Sequence, residues 1–86
     1  MRFQATRRFE RAFADLPEED AERVRKALRL LAENPRHSSL RVKKIQGVEE
    51  IWEARAGLAL RLTFEKRADL VILRNVGPHD GILKKP

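Results

Sequence analysis

An α+β fold is predicted for this chain by three observations: two apolar stripes at helical spacing before Pro35, a change of period after it, and runs of strand character from there to the end. Eighty-six residues bury enough apolar surface for one core only, so residues 1–86 are expected to form a single domain. The expected order is β-α-α-β-β-β-β. Two N-terminal helices then cover one face of a mainly antiparallel, four- to five-stranded sheet and leave the other face partly open to water.

Residues Met1 to Ala5 read as a short strand, and Thr6 offers a hydroxyl suited to capping the helix that follows. Phe9, Ala12, Phe13 and Leu16 recur at i, i+3, i+4 and i+7, one apolar stripe, which Leu16-Pro17 ends because proline disfavours helical backbone in its predecessor. Pro17 opens the second helix. Its first turn, PEED, places three acids against the positive end of the dipole; Ala21, Val24, Leu28 and Leu31 supply the buried stripe, and Asn34-Pro35 closes it. Residues 6–34 therefore form a helical hairpin. Beyond it, Leu40 to Ile45 is a possible strand broken by Gln46-Gly47, and IWEARA, LALRLTFE and LVILRNV read as three more, the last turning at Gly77-Pro78.

Side-chain parity sorts the strand residues between the two faces. Leu58, Leu60, Leu62 and Phe64 share the helix-covered face, so Arg61 points to the open one. Trp52, Ala54 and Ala56 likewise make Trp52 a core residue and place Glu53 and Arg55 with Arg61. A three-residue turn, Ala56-Gly57-Leu58, would set Glu53 across from Arg61. Pairing Leu73 with Leu62 would bring Arg74 beside Arg61, and two adjacent guanidinium groups repel unless an anion bridges them.

Composition narrows the function. There is no cysteine, and the two histidines, His37 and His79, make no ligand cluster, so neither a metal nor a small-molecule cofactor is expected. No apolar run is long enough to span a bilayer and the N-terminus lacks an apolar h-region, which points to the cytoplasm without membrane association. Nineteen Lys+Arg against thirteen Asp+Glu leave +6, a balance suited to a polyanion and equally to plain solubility.

Glu53, Arg55, Arg61 and Arg74 on one face, with His79 at its end, would combine acid/base groups with cations. Attack of a ribose 2′-OH on its own phosphate needs those types: a base, cations for the phosphoryl charge, and an acid for the leaving oxygen. Each residue also has a plainer reading. His79-Asp80 after Gly-Pro suits a solvated turn, Glu53 an ordinary cross-strand ion pair, and Lys43-Lys44 solvated charge.

The element order, the phrases RFERAFADLP and ALRLLAENPRH, the strand pair IWEARAGLALRLTFE and the closing LRNVGPHDGIL together resemble the RelE/ParE toxin superfamily of bacterial type II toxin-antitoxin systems. The likeness spans nearly the whole chain and is nearest the branch with a C-terminal Gly-x-His-Asp element. It implies a RelE-like fold, ribosome-dependent endoribonuclease activity on mRNA, and a cognate antitoxin protein whose C-terminal segment wraps the toxin. Carried onto this chain, it makes Glu53, Arg61 and His79 the catalytic candidates, with Lys43, Lys44, Arg55 and Arg74 contacting substrate. One departure stands out: many RelE-type nucleases have a tyrosine after the Gly-x-x element, and here there is none, with Leu83 at that place. Either His79 and Glu53 carry the proton transfers, or the chain is a weak or inactive member that only binds its antitoxin. The ParE side of the superfamily, which poisons DNA gyrase, shares the fold and is the other alternative.

Overall fold

The computed structural model describes residues 1–47 and 50–86. Thr6 caps α1 (Arg7–Ala14) as its hydroxyl position predicts: Oγ1 accepts from the Phe9 amide at 3.1 Å. The helix carries Phe9 into the core, with the Phe13 ring stacked 6.2 Å away, and ends before Pro17. α2 (Glu18–Glu33) buries Ala21, Val24, Ala27 and Leu31 along one stripe, while Leu28 remains half-buried. Arg25 ties the two helices together, its guanidinium 5.5 Å from the centre of the Phe13 ring.

Five strands form one sheet in the order β1-β5-β4-β3-β2. β1 (Arg2–Ala5) runs parallel to β5 (Leu70–Pro78); β2 (Lys43–Lys44), β3 (Ile51–Arg55), β4 (Leu60–Arg67) and β5 pair antiparallel. The predicted strand from Leu40 to Ile45 shrinks to two residues, because Ser38–Leu40 winds into a 3-10 turn that buries Leu40. Leu60, Leu62, Phe64, Val71, Leu73 and Val76 meet Phe9, Val24 and Leu31 in the core, with Trp52 packed at its margin as expected. None of the described helices is long and apolar enough to cross a membrane.

Three expectations about the strands fail, for one reason each. Five residues, Ala56 to Leu60, separate Arg55 from its partner Arg61 in place of the expected three-residue turn, and Glu53 accordingly faces Thr63. Leu58 then sits at the loop tip, 86 % exposed, and not against the helices. The ladder between β4 and β5 shifts at Thr63/Phe64: Thr63 pairs with Asn75 but Phe64 with Leu73, leaving Arg74 as an extra residue in β5. Arg61 accordingly faces Gly77, not Arg74.

The second face of the sheet is also less open than predicted. β5 continues through Gly77-Pro78 instead of turning there, and residues His79–Lys84 form a short helix, α3, that packs back on β5 and β4 and buries Ile82. Lys85 and Pro86 then fold onto the polar face. The Pro86 carbonyl accepts from Thr63 Oγ1 at 3.1 Å and Arg74 Nε at 3.3 Å, and the Lys85 carbonyl accepts from Asn75 Nδ2 at 3.0 Å and from Arg8.

The extra residue in β5 has a partner elsewhere. Thr6 Oγ1 donates to the Arg74 carbonyl at 3.1 Å while accepting from Phe9, so one hydroxyl joins the helix start to the irregular point of the sheet. Thr6→Ala is expected to cost about 1–2 kcal/mol, at the upper end for a cap because a half-buried carbonyl also loses its donor. Urea unfolding of the variant and of Thr6→Ser, which keeps the hydroxyl and most of the stability, reads this directly.

Candidate functional site

At the tip of the β3–β4 hairpin two arginines converge on one backbone oxygen. Arg61 Nη1 donates to the Gly57 carbonyl at 3.0 Å, with Leu60 O at 3.1 Å and Leu58 O at 3.5 Å, and Arg55 Nε donates to the same Gly57 carbonyl at 3.3 Å. Parity anticipates a pair of adjacent guanidinium groups on this face; the structure forms it from Arg61 and Arg55, with Arg74 elsewhere. Directly opposed like charges destabilise a sheet pair. Here the loop carbonyls take up part of that charge, and each guanidinium retains N–H groups able to hold an oxyanion bidentately.

His79 joins this hairpin through its backbone. Its amide donates to the Ala59 carbonyl at 2.8 Å, which sets the first residue of α3 beside the start of β4. The imidazole is 41 % exposed, with Nδ1 3.4 Å from Asp80 Oδ1. Such a contact leaves Nε2 free to face a bound molecule.

The other candidates lie apart. Glu53 is almost wholly enclosed, at 3 % exposure; its Oε1 is 3.5 Å from Lys43 Nζ, and its buried Oε2 has no hydrogen-bond partner among the described residues. A carboxylate so enclosed cannot reach a ribose hydroxyl from its present position, so its contact with the structure is through Lys43. Lys43 and Lys44 are exposed on edge strand β2, separated from His79 in the sheet order by β3 and β4. Among the described residues no group of three or more histidine, aspartate or glutamate side chains is arranged to hold a metal ion.

Arg74 serves Glu65. Its Nη1 lies 2.7 Å from Glu65 Oε2, while Arg67 Nη2 lies 2.9 Å from Oε1, so the carboxylate is held on both oxygens. Hydrogen bonding from Arg67 first, and from Arg74 next, pulls the Glu65 carboxyl below its ordinary value. A carboxyl depressed on folding contributes stability that is complete above its unfolded value and disappears as pH falls through the folded one. Glu65→Gln is therefore expected to lower stability by roughly 1 kcal/mol at neutral pH. Melting temperatures recorded from pH 7 down to acid should show the gap between variant and parent closing only below the ordinary carboxylate range.

No family model matches the sequence, and no curated protein matches it. Solved structures do match. YafQ from E. coli strain BL21(DE3) superposes with a TM-score of 0.80 at 14 % identity, covering 95 % of this chain and 98 % of YafQ. A toxin of the RelB-RelE complex from Methanococcus jannaschii gives 0.74 at 19 % identity over 100 % of both chains. The archaeal RelE-RelB complex from Pyrococcus horikoshii OT3 gives 0.73 at 18 %, covering 91 % of this chain and 93 % of its counterpart. With two helices on one side of a five-stranded mixed sheet and a third helix returning over the other, the chain has the α+β fold of the RelE and YafQ toxins, the RelE-like fold.

Proposed function

We propose that this chain is the toxin of a type II toxin-antitoxin system and that it cleaves mRNA, with the hairpin tip and the start of α3 as its active site. The observation that supports the reading is a shared loop: the His79 amide donates to Ala59 O, and Arg55 and Arg61 donate to Gly57 O two residues earlier. An imidazole held by its backbone to the loop that two guanidinium groups also hold, each able to fork onto phosphoryl oxygens, combines residue types that phosphodiester transfer uses.

In that reaction the ribose 2′-oxygen forms a bond to the adjacent phosphorus as its proton passes to a solvent water, the bond from phosphorus to O5′ breaks, and O5′ takes a proton from His79. The products are a 2′,3′-cyclic phosphate and a 5′-hydroxyl. His79 is assigned the donation to O5′, with Asp80 as its charge neighbour. Arg55 and Arg61 offset the charge that builds on the phosphoryl oxygens, and Glu53, enclosed as it is, holds Lys43 in place without touching substrate. The structurally similar RelE and YafQ occur in complexes with RelB and DinJ, which supports a protein antitoxin as this chain's partner.

Primer extension on messages taken from translating ribosomes tests the activity. The parent chain is expected to leave discrete cuts; His79→Ala is expected to lower the cleavage rate about 10²-fold or more, the usual contribution of a general acid. Arg61→Lys, which keeps the charge but not the fork, should cut more slowly while still folding. Intact message with undiminished growth arrest would replace the nuclease with a toxin that acts on a protein target.

A further inference from the structure

A second concavity lies across the hairpin from His79. It is a trough of about 470 Å³ between α2, the 3-10 turn and the β3–β4 loop, and four cations line it: Arg23, Lys26, Arg41 and Arg55. No acidic residue is among its lining. Arg23 engages Asp20 at 2.9 Å on its far side, but among the described residues Lys26, Arg41 and Arg55 form no ion pair. Three cations facing one hollow without counter-charge repel one another, and a bound polyanion is what relieves that repulsion.

A second observation falls at the same place. Arg41 has φ +45°, in the left-handed region that glycine and asparagine enter readily and a long side chain does not. The strain sits on a residue at the lip of the trough, where the guanidinium is exposed. Strain held at one position by the surrounding structure points towards a role for the side chain it presents.

The position of the trough narrows the ligand. It shares Arg23, Gly57 and Leu58 with an adjoining hollow that reaches Gly77 and Pro78, the residue before His79; Asp15 and Asp20 line the α1–α2 side of that hollow, so the strand is placed along its hairpin side. The hairpin tip is thus a saddle between the two. Arg55 faces both the trough and the Gly57 carbonyl that Arg61 holds, and Leu58, 86 % exposed, crowns the saddle with an apolar surface on which a base can lie. Cations spaced along a groove with an apolar step between them match a single nucleic-acid strand, whose charges are regular and whose bases are apolar on their faces.

From this arrangement we infer that the trough binds the phosphodiester backbone of single-stranded RNA flanking the bond presented to His79, with Lys26 and Arg41 as phosphate contacts and Leu58 supporting a base. This deepens the reading of the chain as an RNA-directed protein and rests on it for the identity of the strand. It gives a role to Lys26 and Arg41, which the sequence presents only as helix and loop charge.

Binding of a fluorescein-labelled hexauridylate with 2′-O-methyl riboses, followed by anisotropy at increasing potassium chloride, tests it on the full chain. The probe has no hydroxyl to attack, so binding is read whether or not the chain cuts RNA. Lys26→Glu, on an exposed helix face, and Arg41→Gly should each weaken binding several-fold and flatten the dependence of log affinity on log salt by about 0.7 per cation removed. Arg41→Gly should do so without lowering the melting temperature, since glycine accepts the left-handed backbone. Unchanged affinity and slope in both variants would overturn the inference, as would loss of binding to a hexaglutamate peptide with binding to the RNA probe intact. A chain that binds the probe through these residues yet leaves messages uncut keeps the trough and loses only the nuclease.

Discussion

The one-residue irregularity at Arg74 sets the geometry of the polar face. Without it, the pairing of Phe64 with Leu73 would continue in step and place Arg74, not Asn75, opposite Thr63. The extra residue turns Arg74 towards Glu65 and the carbonyls at the chain's end, lets Asn75 reach Lys85, and advances the rest of β5 so that Gly77 lies across from Arg61. Two residues further along, the His79 amide reaches Ala59. An irregular point of this kind needs support, because the bulged residue leaves the ladder. Thr6 provides it by donating to the Arg74 carbonyl, and the stability of the helix start and the register of the histidine are thereby joined.

A similar economy governs the hairpin tip. The loop from Ala56 to Ala59, exposed at Leu58 and Ala59, would order poorly on its own, since fixing each backbone costs about 1–2 kcal/mol in entropy. The Arg61 guanidinium counters this by donating to Gly57, Leu60 and Leu58, while Arg23 from α2 lies so close over Gly57 that a Cβ there would come within 3.2 Å of its Cδ. The loop is held from both sides. Arg61 thus has two functions, positioning the loop through Nη1 and presenting its remaining N–H groups to an anion.

Much of the architecture was legible in the residues because it follows local rules. The hydroxyl of Thr6, the acids after Pro17, the stripe of Ala21, Val24 and Leu31, and Asn34 at the helix end each have a backbone reason to stand where they do. Register was not legible, because it depends on loop length and on a bulge, and neither leaves a period in the sequence. Leu58 looked like a member of the buried leucine series, and treating it so shortened the turn by two residues and misaligned the β3 partners of Arg61. Arg74 was misplaced because β5 is apolar on both faces, which hides its parity. The short α3 was hidden by Gly77 and Pro78, which read as a turn yet extend the strand. The adjacent arginines are Arg61 and Arg55 in place of Arg61 and Arg74, and His79 reaches their loop through its backbone amide.

One consequence follows from the enclosed Glu53 oxygen. Detaching the two-residue edge strand β2 breaks few backbone hydrogen bonds and takes Lys43 away from the carboxylate, but it also lets water reach an atom that has no other donor. Hydration of that atom offsets part of the loss. The short edge strand therefore contributes less to the sheet than a fully paired one, because its closure leaves a carboxylate oxygen dry and without a donor among the described residues.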